Sequence, residues 1–272
     1  MSASVRLVAT DLDGTLVHSD GSVTARTRAA LVAAEAAGID VVFVTGRPLR
    51  WAEDVFEHVG GHGHAIISNG ALVWDVGAAA VHRLRALEPA TGTEVARRIR
   101  AAVPGSHFAV ETLAGIALEP DFLERHAVPD GALRGPLDQL FTAPAVKLLV
   151  RHEALDPQEF WARAEAAVGD LAVVTWSSST ALLEISAAGV TKASTLALLC
   201  DERGIRAEEV LALGDMPNDL PMLTWAGTSY AMANAHPTVL AAADHVAPPN
   251  DEDGVAQVIE QLLDSAVGPG QD

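Results

Sequence analysis

"VRLVATDLDGTL", Val5–Leu16, is an apolar run that stops at two carboxylates, Asp11 and Asp13. Its apolar residues do not alternate with polar ones, which is the pattern of a strand covered on both faces in a parallel sheet. Two further runs share the design: "IDVVFVTG" (Ile39–Gly46) and "EEVLALGD" (Glu208–Asp215). Helical patterns accompany them. "TARTRAALVAAEAAG" (Thr24–Gly38) and "TKASTLALLCDERG" (Thr191–Gly204) both close on glycine, and Thr191 is placed to cap the second. Strand, helix and strand in repetition predict an α/β fold built on a doubly wound parallel, Rossmann-like sheet.

The middle of the chain reads differently. Helical stretches such as "TGTEVARRIRAAV" and "DPQEFWARAEAAV" alternate there with "HFAVETLAGIALE", "AVKLLVRHE" and "LAVVTWSSSTALLEI", around a loop rich in Pro and Gly. This predicts an inserted α+β domain over 84–183, with residues 1–83 and 184–272 forming one discontinuous sheet domain.

Composition narrows the partners. The chain has 272 residues, 49% of them apolar, and a formal net charge of −18. That is enough apolar residue for a sizeable core, and a balance that repels nucleic acid and anionic membranes. No apolar stretch approaches the ~20 residues that span a bilayer, and Asp11 interrupts the only apolar run near the start. The single cysteine, Cys200, lies among leucines and reads as a small buried hydrophobe. A cytoplasmic protein is expected. No feature of the sequence specifies an oligomeric state.

Ligands of a doubly wound sheet bind at the carboxyl ends of its strands. The three runs end in Asp11 with Asp13, Thr45 with Gly46, and Asp215, so these groups should meet in one crevice. Asp219, in "GDMPND" (Gly214–Asp219), adds a fourth carboxylate. Such charges at ~4 Å repel by several kcal/mol per pair in a partly dry site, and oxygen donors without clustered His or Cys favour a hard cation, Mg²⁺ first. Taken alone, Asp11 and Asp13 also fit an Asx-type turn without chemistry; the second acidic pair does not fit that account. Lys192 stands at a predicted helix N-terminus, where the macrodipole disfavours a cation. With Thr45 and the Gly46 amide it would make an anion cradle, and taken alone it also fits a solvated surface lysine. A metal, an anion cradle and spare carboxylates together describe phosphoryl transfer. His62 and His64 in "GGHGHAI" read as a loop rather than as metal ligands, and Trp161, Trp176 and Trp225 as packing residues.

At this point the residues match a known family. "DLDGTL", "VTGRP", "GVTKASTL", "GDMPNDLPML" and "SYAMANAHPTVLAAADHVAPPNDEDGV" stand in the order found in the haloacid dehalogenase superfamily of aspartate-nucleophile phosphatases, and the chain resembles its Cof-type, class IIB branch. Met216-Pro217 departs from the small or polar residues usual at that place. The resemblance implies that Asp11 is the nucleophile that becomes an aspartyl phosphate, and that Asp13 is general acid and then general base. It implies Mg²⁺ held by Asp11, Asp215 and the backbone carbonyl of Asp13, with Asp219 in support. It implies phosphate held by Thr45, the amides of Leu12 and Gly46, Lys192 and Asn218. Arg47 would reach the phosphate or the inserted cap, or brace the loop through a carboxylate. The second aspartate, Asp13, argues for phosphate esters over alkyl halides. The expected activity is Mg²⁺-dependent hydrolysis of small phosphorylated metabolites, sugar phosphates or related phosphomonoesters. A phosphomutase using the same intermediate and a non-catalytic phosphometabolite-binding protein are the alternatives.

Overall fold

The eight-stranded sheet runs outward in both directions from the strand that carries Asp11. A computed structural model describes residues 4–58, 63–125, 127–176 and 181–267. Among the described residues the strands, in chain order, are β1 Leu7–Thr10, β2 Asp40–Val44, β3 His64–Ile67, β4 Leu72–Asp75, β5 Ala80–Leu84, β6 His107–Thr112, β7 Gly115–Leu118, β8 Lys147–Arg151, β9 Ala172–Thr175, β10 Leu182–Ala187, β11 Val210–Gly214, β12 Thr228–Met232 and β13 His245–Ala247. The first sheet has the order β13-β12-β11-β1-β2-β3-β4-β5. Its strands from β13 to β3 are parallel, and β4 and β5 add an antiparallel edge.

The three runs singled out in the sequence are β1, β2 and β11, side by side at the centre. All four residues of β1 and all five of β11 are buried, as their lack of alternation predicts. Thr10 stands opposite both Phe43 and Leu213, so Asp11, Thr45 and Asp215 leave the sheet at one level. The chain winds from β1 through β2 to β3, then returns on the other side of β1 through β11, β12 and β13. The crevice of such a sheet opens where the winding reverses, which is the carboxyl end of β1. Helices Ala25–Ala36 and Gly254–Val267 pack on each other, as do Lys192–Arg203 and Leu220–Trp225. The sheet edge at β5 is exposed along its whole length, and His82 and Arg83 there pair with Glu202, a charged edge that discourages pairing with another chain.

The inserted region forms its own five-stranded antiparallel sheet, order β7-β6-β8-β10-β9. Helices Pro89–Ala102 and Pro157–Val168 pack together over one face. The sheet's last strand runs to Ala187, so the expected boundary between 183 and 184 falls inside β10. Alternation decides which residues face away from the helices. Val110, Leu148, Val150, Leu183 and Ile185 join the helix-side core. Their neighbours Glu111, Lys147, Leu149, Leu182 and Glu184 face the other way, into a cavity over the first sheet. Arg85, between β5 and the insert, donates to Ser194, Thr195 and the carbonyl of Gly189, tying the two chain crossings together.

His64 departs from its expected place in a loop. It opens β3, and its Nδ1 accepts from the Arg203 guanidinium at 2.7 Å; burial, then that guanidinium, push its pKa down. His62 lies outside the described residues. Trp161 and Trp176 pack on the core of the insert and Trp225 on that of the first domain.

Candidate active site

The helix Lys192–Arg203 brings its first residue to β1. Thr191 caps it by accepting from the Ser194 amide at 3.0 Å, and the Ser194 hydroxyl accepts from the Thr191 amide at 3.0 Å, a reciprocal cap that sets where the helix begins. Lys192 is therefore not a surface residue: it is 1% exposed. Its Nζ donates to Asp11 Oδ1 at 2.5 Å and to Asp219 Oδ1 at 2.6 Å.

Carboxylate oxygens of Asp11, Asp215 and Asp219 lie within 4.8 Å of one another. Asp219 is fully committed. Its Oδ2 accepts from the amides of Asp215 and Met216, its Oδ1 from Lys192. The turn Pro217–Asp219 that places it carries proline at its first position, where a missing N–H is harmless, so the unusual Met216-Pro217 pair does not disturb the loop. Asp215 Oδ1 accepts from the Thr15 hydroxyl at 3.2 Å. Its Oδ2 lies against Gly14, where a Cβ would come within 2.4 Å; with φ at +75° as well, Gly14 admits no other residue without displacing that carboxylate.

Electrostatics marks this cluster as short of positive charge. Burial raises the Asp11 carboxyl well above its ordinary range; Lys192 opposes the shift, while Asp219, Asp215 and Asp13 add to it. Burial, then Asp219, push Asp215 up to about 7. Burial works against the Lys192 ammonium, but Asp11 and Asp219 outweigh it and raise its pKa, so the lysine stays charged. One ammonium among three buried carboxylates leaves a deficit that a divalent cation with oxygen ligands fits.

Asp13 stands apart from that cluster. Its carboxylate faces the cavity and holds the Arg47 guanidinium with both oxygens, at 2.8 and 2.5 Å. Arg47 thus braces a carboxylate, one of the three uses expected of it. Thr45 is buried, with its hydroxyl accepting from the Arg47 amide at 3.0 Å. Leu12 is wholly buried in the core, so its side chain meets no ligand. Gly46 and Asn218 line a cavity of about 640 Å³ together with Asp11 and Asp13.

Several residues on or beside the cavity were not legible in the sequence. Arg50 and Glu111 join the two domains through a two-pronged ion pair at 2.9 and 3.1 Å. Lys147 is buried at the roof and paired with Glu184 at 2.8 Å. Asn69, buried, reaches Glu184 at 2.6 Å. One signal was present: of 18 basic residues only Lys147 and Lys192 are lysines, and one of them already stood in a motif.

With this geometry in view, the matches to known proteins fall into place. A family model described as haloacid dehalogenase-like hydrolase matches residues 8–259. The chain belongs to that family. Phosphatase YwpJ of Bacillus subtilis is 30% identical over 288 residues, covering 95% of this chain and 100% of the relative. The 5-amino-6-(5-phospho-D-ribitylamino)uracil phosphatase YcsE of the same organism is 28% identical, covering 95% and 96%. A crystal structure of a haloacid dehalogenase-like hydrolase from Bacteroides thetaiotaomicron superposes with a TM-score of 0.78 at 26% identity, covering 95% of this chain and all of that one. The chain is a phosphoric monoester hydrolase with a sheet core and an inserted cap. Among the described residues, no helix is long and apolar enough to cross a membrane.

Proposed function

We propose that the protein hydrolyses small phosphorylated metabolites, with Mg²⁺, through an aspartyl phosphate on Asp11. The observation that carries this reading is the buried cluster of Asp11, Asp215 and Asp219 around one lysine, whose Asp11 lines the cavity beneath the cap sheet. The oxygen-only donor set supports a hard cation held by Asp11, Asp215 and the backbone carbonyl of Asp13, with Asp219 locking Lys192 and the loop beneath. When bound, such an ion neutralises charge on the phosphoryl oxygens.

The chain's own residues do the rest. Lys192 lowers the charge of the Asp11 carboxylate while leaving its other oxygen to attack phosphorus. As the bond from phosphorus to the leaving oxygen breaks, Asp13 gives that oxygen a proton. Asp13, now a carboxylate, takes a proton from water as the water attacks the aspartyl phosphate, the bond to Asp11 breaks and inorganic phosphate leaves. Arg47 holds Asp13 as a carboxylate through both oxygens, so one prong lets go when Asp13 carries the proton it gives to the leaving oxygen. Thr45, the amides of Leu12 and Gly46, Lys192 and Asn218 form the phosphate cradle. The cap sheet over 84–187, with Glu111, Lys147, Leu149, Leu182 and Glu184 on the cavity, excludes water and meets the part of the substrate beyond phosphate.

The test is turnover of a generic aryl phosphate, then a panel of phosphorylated metabolites, with and without EDTA. Metal-dependent release of phosphate is expected. Hydrolysis unaffected by EDTA would overturn the assignment of the metal, and binding of phosphate esters without turnover would favour a binding protein.

A further inference from the structure

A hydrogen-bonded chain, of which the chemistry above uses only the last residue, crosses from the cap to the floor of the cavity. It begins at Lys147, whose Nζ donates to Glu184 Oε1 at 2.8 Å and to the Gly46 carbonyl at 2.5 Å. Glu184 Oε2 accepts from Asn69 Nδ2 at 2.6 Å, and Asn69 Oδ1 accepts from Asn218 Nδ2 at 3.1 Å. The first two residues belong to the cap sheet, the last two to the core.

Polarity runs through this chain in one direction only. A carboxylate paired with an ammonium can offer nothing but acceptors, and the Thr175 hydroxyl, which donates to the Glu184 carbonyl, offers Asn69 a second acceptor at 3.3 Å, so Asn69 turns its nitrogen to the cap. Its oxygen is then left for Asn218, which must answer with nitrogen. The consequence is visible at the far end: Asn218 Oδ1 is buried without a hydrogen-bond partner among the described residues, an orientation an amide free to turn would abandon. The second N–H of Asn218 remains for a ligand, beside Gly46, whose Cβ, if it had one, would lie 3.6 Å from that nitrogen. The same Cβ would stand 3.0 Å from Asn69 Oδ1, so the absence of a side chain at Gly46 lets the two amides meet. Asn69 itself sits at φ 57°, ψ 27°, a left-handed conformation that Asn tolerates better than most residues.

We propose that Asn69 is a positioning residue that carries the seating of the cap to the phosphate cradle: the charge of Glu184 orients the Asn69 amide, which orients Asn218 with an N–H for a phosphate oxygen. What that N–H binds rests on the phosphatase reading; the order of the amides does not.

Glu184→Gln separates the two. Lys147 demands an acceptor, so the new side chain would turn its oxygen to Lys147 and its nitrogen to Asn69, and both asparagine amides would invert. In ¹⁵N side-chain amide spectra of the substrate-free protein, the Asn218 pair, assigned by its loss in Asn218→Ala, is expected to move. Inhibition of aryl phosphate turnover by inorganic phosphate supplies the second measurement. Asn69→Gly, which suits the left-handed backbone, and Asn218→Ala are each expected to weaken inhibition roughly tenfold, the worth of one hydrogen bond to a charged group, and the double variant no further. An Asn218 signal that stays in place in Glu184→Gln, or losses that multiply in the double variant, would overturn the relay. Unchanged phosphate inhibition in Asn218→Ala would overturn it too, by removing its endpoint. Absence of turnover in the unmodified protein would instead count against the phosphatase reading, with the amide spectra still deciding the relay.

Discussion

Replacing Lys192 by Met should unfold this protein more readily at pH 8 than at pH 5, and the size of the difference follows from the site. The ammonium is 1% exposed and stands 2.5 Å from Asp11 and 2.6 Å from Asp219. Methionine fills the same volume but leaves both carboxylates without their counter-ion, and removing one partner of a buried pair typically costs about 3–5 kcal/mol. That is a large fraction of the roughly 5–15 kcal/mol by which domains are stable. The pH dependence has a definite sign. Burial already holds the Asp11 carboxyl well above its ordinary value, and Lys192 is what opposes the shift. Without it the folded-state pKa climbs further. A carboxyl raised in the folded state loses nothing while protonated in both states, and destabilises progressively as pH rises from its unfolded value through its folded one. The assay is urea unfolding in EDTA, followed by circular dichroism, for the unmodified protein and Lys192→Met at both pH values. A loss below ~1 kcal/mol at pH 8, or an equal loss at pH 5, would refute the placement of this lysine as the counter-ion of a buried carboxylate pair.

Other consequences are equally direct. Asp11→Asn should abolish aryl phosphate turnover with the circular dichroism spectrum unchanged, because an amide of the same shape is no nucleophile. Asp13→Asn should lower kcat about 10²–10⁴-fold with a much smaller change in KM, the mark of lost proton transfer. Mg²⁺ should raise the melting temperature more at pH 8 than at pH 5: burial and Asp219 push Asp215 up to about 7, so its unfavourable charge develops between about 4 and 7 and the ion relieves it only once it is present. Gly92→Ala, usually a gain of about 1 kcal/mol inside a helix, should here destabilise by about 1–3 kcal/mol in urea, since the added Cβ would meet the Phe141 ring at 1.9 Å.

The elements of the core were written locally. Runs such as Leu7–Thr10 and Val210–Gly214 are apolar on both faces, and that alone places them inside a sheet; Thr191 and Gly204 mark helix ends because capping is a matter of nearest neighbours. Asp11, Thr45 and Asp215 could be brought together on paper because each directly follows such a strand. What could not be read was any pairing that depends on two surfaces meeting. Arg47 had three plausible uses until Asp13 was found in its grip. Lys147, Glu184 and Glu111 look like ordinary alternating residues of cap strands, and Asn69 like a turn residue. They become part of the site only when the helix-free face of one sheet is laid over the strand ends of the other. Short-range order follows from backbone propensity and the period of apolar residues, which a sequence displays. The partner of a buried charge is chosen by packing between distant segments, where the cost of leaving it unpaired is felt, and only the tertiary structure decides that.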